Sequence, residues 1–91
     1  MTSGSDNLPI SMGAPAPTVI RSSTQLGTIA RQQRKRLALT QLDVAGLGNT
    51  GNRFIVELES GKPTMQLQKV LDVLDLLGLE VIVRPMDVRL P

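Results

Sequence analysis

The spacing of apolar residues predicts four helices after residue 22. The clearest pattern follows Thr64, a candidate N-cap, and ends at Gly78. Between them, apolar residues recur at intervals of three and four, which is the period of an amphipathic helix. That face comprises Leu67, Val70, Leu71, Leu74 and Leu77. We therefore predict the fourth helix between these limits.

An apolar face also predicts a first helix from about 25 to 37, with Thr24 as its N-cap. Its members are Leu26, Ile29, Ala30, Gln33 and Leu37. Arg31 and Lys35 lie four residues apart on the opposite side. The first helix is thus expected to pair an apolar face with a basic one.

Two shorter helices are predicted on either side of GLGNTG, residues 46–51. Thr40 is the expected cap of the second helix, which places Leu42 and Ala45 on one side with Val44 nearby. Three glycines in six residues end that helix, and Asn49 tolerates the left-handed conformation of a sharp turn. The third helix runs from about 51 to 60 and stops at Gly61 and Pro63. Its buried candidates are Phe54, Ile55 and Leu58.

The period changes to two in LEVIVR, residues 79–84, which predicts a β-strand. A lone strand lacks partners for its backbone groups, so pairing with the same strand of a second copy across a two-fold axis is favoured. The alternative is an extended tail packed on the fourth helix. The expected dimer strand contains Leu79, Val81, Ile82 and Val83.

These elements divide the chain into three parts. Residues 1–22 are rich in Ser, Gly, Pro and Ala without a period and are expected to form a disordered tail. They lack the basic start and apolar core of a secretory signal, and no run is long enough to span a membrane. Residues 23–78 form the predicted helical domain, and residues 79–91 form the dimerisation strand and tail.

Composition argues against an enzyme. The chain has no Cys, His, Trp or Tyr, so nucleophilic triads, histidine acid–base chemistry and thiolate metal sites are excluded. No acidic cluster suggests carboxylate chemistry, and neither a metal nor a cofactor is expected.

Charge is unevenly distributed although the net charge is only +2. Six of the eight acidic residues follow position 50, whereas the predicted first helix is basic and has no acidic residue. Such a helix suits phosphate groups, although a charge run by itself more often marks a solvated helix face.

A short helix, a tight turn and a second helix with an exposed polar face describe a helix-turn-helix. In that motif the second helix enters the major groove of DNA. Ala45 is small enough for the contact between the two helices, while Ile55 and Leu58 anchor the third helix to the core.

The segment from LTQLDVAGLGNTG through RFIVELESGKPT to LGLEV resembles HipB-type antitoxins of the XRE family of helix-turn-helix proteins. The resemblance covers about residues 24–84, and RFIVELESGKPT is its most specific part. It implies an all-α, lambda-repressor-like domain of about four helices, with a C-terminal strand that pairs across a dimer. It also implies a cytoplasmic bacterial repressor that binds a palindromic operator and neutralises a HipA-type Ser/Thr kinase toxin.

The resemblance assigns roles to individual positions. Groove-facing, base-contacting positions would be Gln41, Asn52, Arg53, Val56 and Glu57, of which Gln41 could instead contact phosphate. Arg53 could bind guanine and Asn52 adenine. Phosphate-contacting positions would be Arg31, Lys35, Thr40, Gly51, Ser60, Lys62 and Thr64.

Arg34 and Glu59 correspond to an ion pair that is common in this family. We expect Arg34 to be structural first, with a phosphate contact second. Three departures matter: Asn49 replaces the usual turn glycine, Thr50 replaces an apolar turn residue, and Asn52 replaces the first of two arginines. Glu57 could accept from cytosine N4, repel phosphate, or simply be a solvated helix end.

Three functions compete on this basis. The first is a repressor that also neutralises a kinase toxin, and the second is a stand-alone XRE-type repressor. The third is an interaction module that has lost DNA binding. The C-terminal strand and GKPT favour the first over the second, and Arg53 with the basic first helix disfavours the third.

Overall fold

The computed structural model describes residues 16–86 of the 91-residue chain. Within them are four helices: α1 (Ser23–Arg36), α2 (Gln41–Leu47), α3 (Asn52–Ser60) and α4 (Leu67–Leu76). The predicted all-α fold is confirmed. Most of the predicted disordered tail (residues 1–15) and the last part of the C-terminal tail (residues 87–91) lie outside the described residues.

Of the three predicted N-caps, one is confirmed and two are wrong. Thr40 caps α2, because its hydroxyl accepts from the N–H of Asp43 while the Asp43 carboxylate accepts from the N–H of Thr40. The cap of α1 is Ser22, not the predicted Thr24, which lies within the first turn. The predicted Thr64 cap of α4 is also wrong. Met65 packs against the core before the helix begins, which moves the N-cap to Gln66.

The core is single and receives residues from all four helices. Its buried members are Ala30, Val44, Ala45, Ile55, Leu58, Val70, Val73, Leu74 and Leu77. Three predicted core positions are exposed instead: Leu37 by 45%, Leu42 by 69% and Leu67 by 68%. Leu37 lies just beyond the end of α1, and Leu67 is the first residue of α4. Leu42 points away because Val44 and Ala45 together set the inward direction of the short α2.

Close backbone contact fixes α3 against α1. A Cβ at Gly27 would lie 2.5 Å from the carbonyl oxygen of Leu58, so only glycine allows this approach. At the end of α3, Gly61 adopts a left-handed conformation with φ of 88°, and its carbonyl accepts from the Ser23 hydroxyl at 2.8 Å. The C-terminal end of α3 is therefore fastened to the start of α1.

The segment after α4 forms neither a helix nor a strand within the part of the chain that the structure describes. Leu79 packs on the core, whereas Val81, Ile82 and Val83 are 54%, 69% and 94% exposed. Of the four predicted strand residues, only Leu79 therefore fits the alternative of a tail packed on the domain. Pairing across a dimer needs a second strand and stays a prediction.

Candidate nucleic-acid interface

The turn between α2 and α3 is short and is hydrogen-bonded to the end of α2. Gly48 donates to the carbonyl of Val44 at 2.8 Å, and Thr50 donates to that of Ala45 at 2.9 Å. Between them Asn49 has φ of 55°, the left-handed conformation that its position in the sequence predicts. With Val44 and Ala45 buried, this geometry is that of a helix-turn-helix.

One side of α3 is buried and the other is presented to solvent. Ile55 and Leu58 are buried, while Val56 is 40% exposed and the Arg53 side chain is 89% exposed. The structure thus places the predicted base-contacting residues of α3 on one accessible face. That face comprises Asn52, Arg53, Val56 and Glu57.

The N-terminus of α3 is open. Gly51 is its N-cap and offers no side chain, and a Cβ built there would meet nothing within 4 Å. The first backbone N–H groups of a helix lack intrahelical acceptors and favour anions. Space and polarity at Gly51 are therefore compatible with close approach of a phosphate.

Glu57 joins two cations on the exposed face. Its Oε2 atom accepts from Arg53 Nε at 3.2 Å and from Lys62 Nζ at 3.3 Å. The hydrogen bond from Lys62 is the main cause that lowers the pKa of Glu57, and Arg53 adds to it. The Glu57 carboxylate is therefore ionised at neutral pH and already has two partners within the chain.

Arg34 and Glu59 form an ion pair under this face, with side chains 9% and 5% exposed. Arg34 donates to the two carboxylate oxygens of Glu59 at 2.6 and 3.0 Å and to the carbonyl of Leu39 at 2.8 Å. The hydrogen bond with Glu59 raises the pKa of Arg34. Gln41 adds a third donor to Glu59, through Nε2 at 3.1 Å, so the predicted DNA-facing Gln41 is held by the buried pair.

A shallow, open depression of about 330 Å³ brings residues of α1, α2 and α3 together. It is lined by Arg31, Gln41, Val56, Glu59 and Ser60. Four of these five were predicted to contact DNA, and the fifth belongs to the ion pair. Residues that are far apart in the sequence therefore share one surface.

Three further residues predicted to contact phosphate are exposed: Lys35, Thr40 and Thr64. Lys35 lies on α1, and Thr64 lies in the bend before α4. The side chain and backbone N–H of Thr40 are both bonded to Asp43. Sequence reasoning missed this role of Asp43, although Thr40 with an acidic residue three positions later is the signature of a capping box.

Known proteins resemble the chain in sequence and in fold. No protein-family model matches it. Over 62 residues it is 45% identical to the uncharacterized HTH-type transcriptional regulator y4mF of Sinorhizobium fredii (strain NBRC 101917 / NGR234), a match that covers 68% of this chain and 82% of that protein. The chain belongs to the helix-turn-helix transcriptional regulators. This family consists of regulators and not of enzymes.

Solved structures show that this regulator has the fold of HipB, as the resemblance implied. It superposes with a TM-score of 0.70 and 22% identity on the HipB–O4 20mer complex, covering 76% of this chain and 97% of that one. For the HipA–HipB–O2–O3 complex the TM-score is 0.72 and the sequence identity is 21%, and the match covers 78% of this chain and 100% of that one. None of the helices in residues 16–86 is long and apolar enough to cross a membrane.

Proposed function

We propose that this regulator binds a palindromic DNA operator as a homodimer and represses transcription by occupying it. The observation that carries the proposal is the outward face of α3, which is polar and exposed while the other side of the same helix is buried. In a helix-turn-helix, that face lies in the major groove.

Base recognition is assigned to residues on this face. The guanidinium of Arg53 matches O6 and N7 of guanine, and the amide of Asn52 matches N6 and N7 of adenine. Val56 offers an apolar contact for a thymine methyl group. Gln41 stands at the rim, at the start of α2.

Phosphate contacts would fix the position of α3 in the groove. The candidate basic side chains are Arg31 and Lys35 on α1 and Lys62 after α3, and all three residues are exposed. The backbone at Gly51, at the N-terminus of α3, would also meet a phosphate. The hydroxyl groups of Thr40, Ser60 and Thr64 complete the proposed set.

Dimerisation is assigned to residues 79–91, with residues 23–78 as the DNA-binding domain. The exposed, β-branched Val81, Ile82 and Val83 support strand pairing between two copies. A two-fold dimer would place its two α3 helices about 34 Å apart, in successive major grooves.

A HipA-type kinase toxin is proposed as the protein partner, which would make the regulator an antitoxin in the bacterial cytoplasm. Support comes from the shared fold with a chain of the HipA–HipB–O2–O3 complex. The alternative is a stand-alone repressor, which the relationship to an HTH-type transcriptional regulator equally fits.

DNA binding can be tested by fluorescence anisotropy with the regulator's own promoter and a scrambled duplex, from low to high salt. We expect Arg53→Ala to reduce the preference for the promoter over the scrambled duplex by roughly 5- to 150-fold, because one bidentate base contact provides discrimination of that size. Lys69→Ala removes the same charge from an exposed position of α4 that is not assigned to DNA contact, and it is the control; its folding is checked by thermal unfolding because Lys69 Nζ lies 5.9 Å from the centre of the Phe54 ring on α3. Equal affinity for both duplexes with no salt dependence would contradict the proposal, because phosphate neutralisation releases counterions.

The partner is tested separately by purifying the tagged chain from its own host. A stoichiometric kinase-like protein in the eluate would support the antitoxin role. A clean dimer that still shifts its promoter DNA would favour the stand-alone repressor.

A further inference from the structure

Glu57 is an acidic residue on a face that is proposed to enter DNA. Its side chain is 26% exposed, so it is neither a buried structural group nor a freely solvated one. A carboxylate close to phosphate groups is repelled by them. Its presence between Arg53 and Lys62 therefore calls for a physical reason.

The atoms that form the bond with Arg53 suggest that reason. Glu57 accepts from Nε of the guanidinium, not from its two terminal nitrogens. Arginine has five N–H donors in a rigid, planar fork. Fixing Nε leaves both Nη groups available, and a bidentate contact to guanine can be made through them. Within residues 16–86 the Arg53 side chain has no other hydrogen-bond partner.

Helix stability does not account for the pair. An acidic residue four positions after a basic one is the less favourable order within a helix, and an acidic group in the C-terminal half of a helix opposes the helix dipole. Exposed ion pairs also contribute little to folding. The pair therefore has no evident purpose in the isolated domain.

Lys62 offsets the charge of Glu57. The N–H of Lys62 donates to the Glu57 carbonyl at 3.1 Å, around the left-handed Gly61. This backbone bond brings Lys62 Nζ to the oxygen that Arg53 also uses. Two cations and one carboxylate leave the cluster with a net positive charge, so the carboxylate can lie near DNA without making the site repulsive.

We propose that Glu57 is a positioning residue for base recognition, which holds Arg53 through Nε so that both Nη groups face guanine. Glu57 itself then contacts no base. This inference rests on the proposed DNA-binding function and deepens it. It differs from a direct contact between Glu57 and cytosine N4, and from simple repulsion of phosphate.

The test compares four variants of the full chain with the wild type: Glu57→Ala, Glu57→Gln, Arg53→Ala and the double variant R53A/E57A. Each is used to select sites from a random DNA library, and affinities are then measured for the selected site, for single-base substitutions in it and for non-specific DNA. Thermal unfolding followed by circular dichroism checks that each variant is folded.

We expect Arg53→Ala to abolish the preference for guanine at one position, and Glu57→Ala to reduce it at the same position by on the order of tenfold. Glu57→Gln keeps an acceptor for Nε and should retain most of the preference. In the Arg53→Ala background, adding Glu57→Ala should change no base preference further.

Three results would overturn the proposal. If Glu57→Ala and Glu57→Gln raise affinity for all DNA equally and leave base preference intact, Glu57 only repels phosphate. If Glu57→Ala alters another base pair, and still does so without Arg53, Glu57 contacts a base itself. If the folded wild type selects no sequence, the proposed function fails and the inference falls with it.

Discussion

Replacing Glu59 by glutamine should destabilise the domain strongly although it exchanges only one oxygen for an NH₂ group. The Glu59 carboxylate receives two bonds from Arg34 and one from Gln41, and the side chains of Arg34 and Glu59 are 9% and 5% exposed. In the variant, a neutral amide faces a buried guanidinium, and the amide NH₂ group opposes an Arg34 donor. Arg34 keeps the Leu39 carbonyl and one amide oxygen as acceptors, but it loses the negative charge and one of its two hydrogen bonds to residue 59.

Breaking a buried ion pair by removing one partner costs roughly 3–5 kcal/mol. Glu59 also lines the open depression beside Gln41, so water can hydrate the stranded Arg34 in part. We therefore expect a loss of about 3 kcal/mol, at the lower end of that range. A domain of about 60 residues has a total stability of roughly 3–9 kcal/mol, so Glu59→Gln would leave a large fraction unfolded or greatly lower the melting temperature.

Urea unfolding followed by circular dichroism measures this loss, at one fixed chain concentration because a dimer's stability depends on it. Asp75→Asn, at an exposed position of α4, is the control and should change stability by less than about 0.5 kcal/mol. Removing both charges with Arg34→Met and Glu59→Met should be less harmful than the sum of the single changes. A loss below about 1 kcal/mol in Glu59→Gln, or additive single changes, would refute the reasoning.

Three further predictions concern helix contacts, acid stability and salt dependence. Gly27→Ala should destabilise by about 1–3 kcal/mol in urea unfolding, because its Cβ would lie 2.5 Å from a backbone carbonyl oxygen. Gly46→Ala, a helical glycine whose Cβ would meet nothing within 4 Å, should instead stabilise by about 0.5–1 kcal/mol, and a similar gain in both variants would contradict the packing. Hydrogen bonds from Thr40 lower the pKa of Asp43 below its ordinary value of 3.8. The Asp43 carboxylate therefore stabilises the fold fully above about pH 3.8, and this stabilisation is lost as the pH falls through the lower pKa of the folded state. Asp43→Asn should therefore show a smaller fall in melting temperature than the wild type between about pH 6 and about pH 2, whereas identical curves would refute the role of the carboxylate. Lys62→Ala should reduce the slope of log affinity against log salt by about 1, and an unchanged slope would remove Lys62 from the phosphate contacts.

Local patterns in the sequence correctly predicted one helix cap, the sharp turn and the end of α3. Thr40 is followed by the start of α2, Asn49 has the left-handed turn conformation, and Gly61 ends α3, each at its predicted position. Capping hydrogen bonds and positive φ angles involve only near neighbours. The apolar face of α3 was also predicted, because Ile55 and Leu58 repeat with the helical period.

Features set by tertiary packing were missed. Leu42 looks like a core residue in a seven-residue helix, yet Val44 and Ala45 determine which way α2 faces. Val73 is 1% exposed but stands outside the simplest leucine pattern of α4. The bond between Gln41 and Glu59 spans 18 positions and depends on how α2 crosses α3, so no local signal announces it.

The α3 helix cannot position its DNA-facing residues by itself. It has nine residues, no side-chain cap and a glycine at each end, and isolated helices of this length are marginal in water. Its order must come from packing on the other helices, to which α1 contributes the close contact at Gly27, the bond from Ser23 to Gly61 and the pair of Arg34 with Glu59. It follows that substitutions on α1 which never touch DNA should weaken base discrimination together with stability. Substitutions on the exposed face of α3, such as Arg53→Ala, should change discrimination alone.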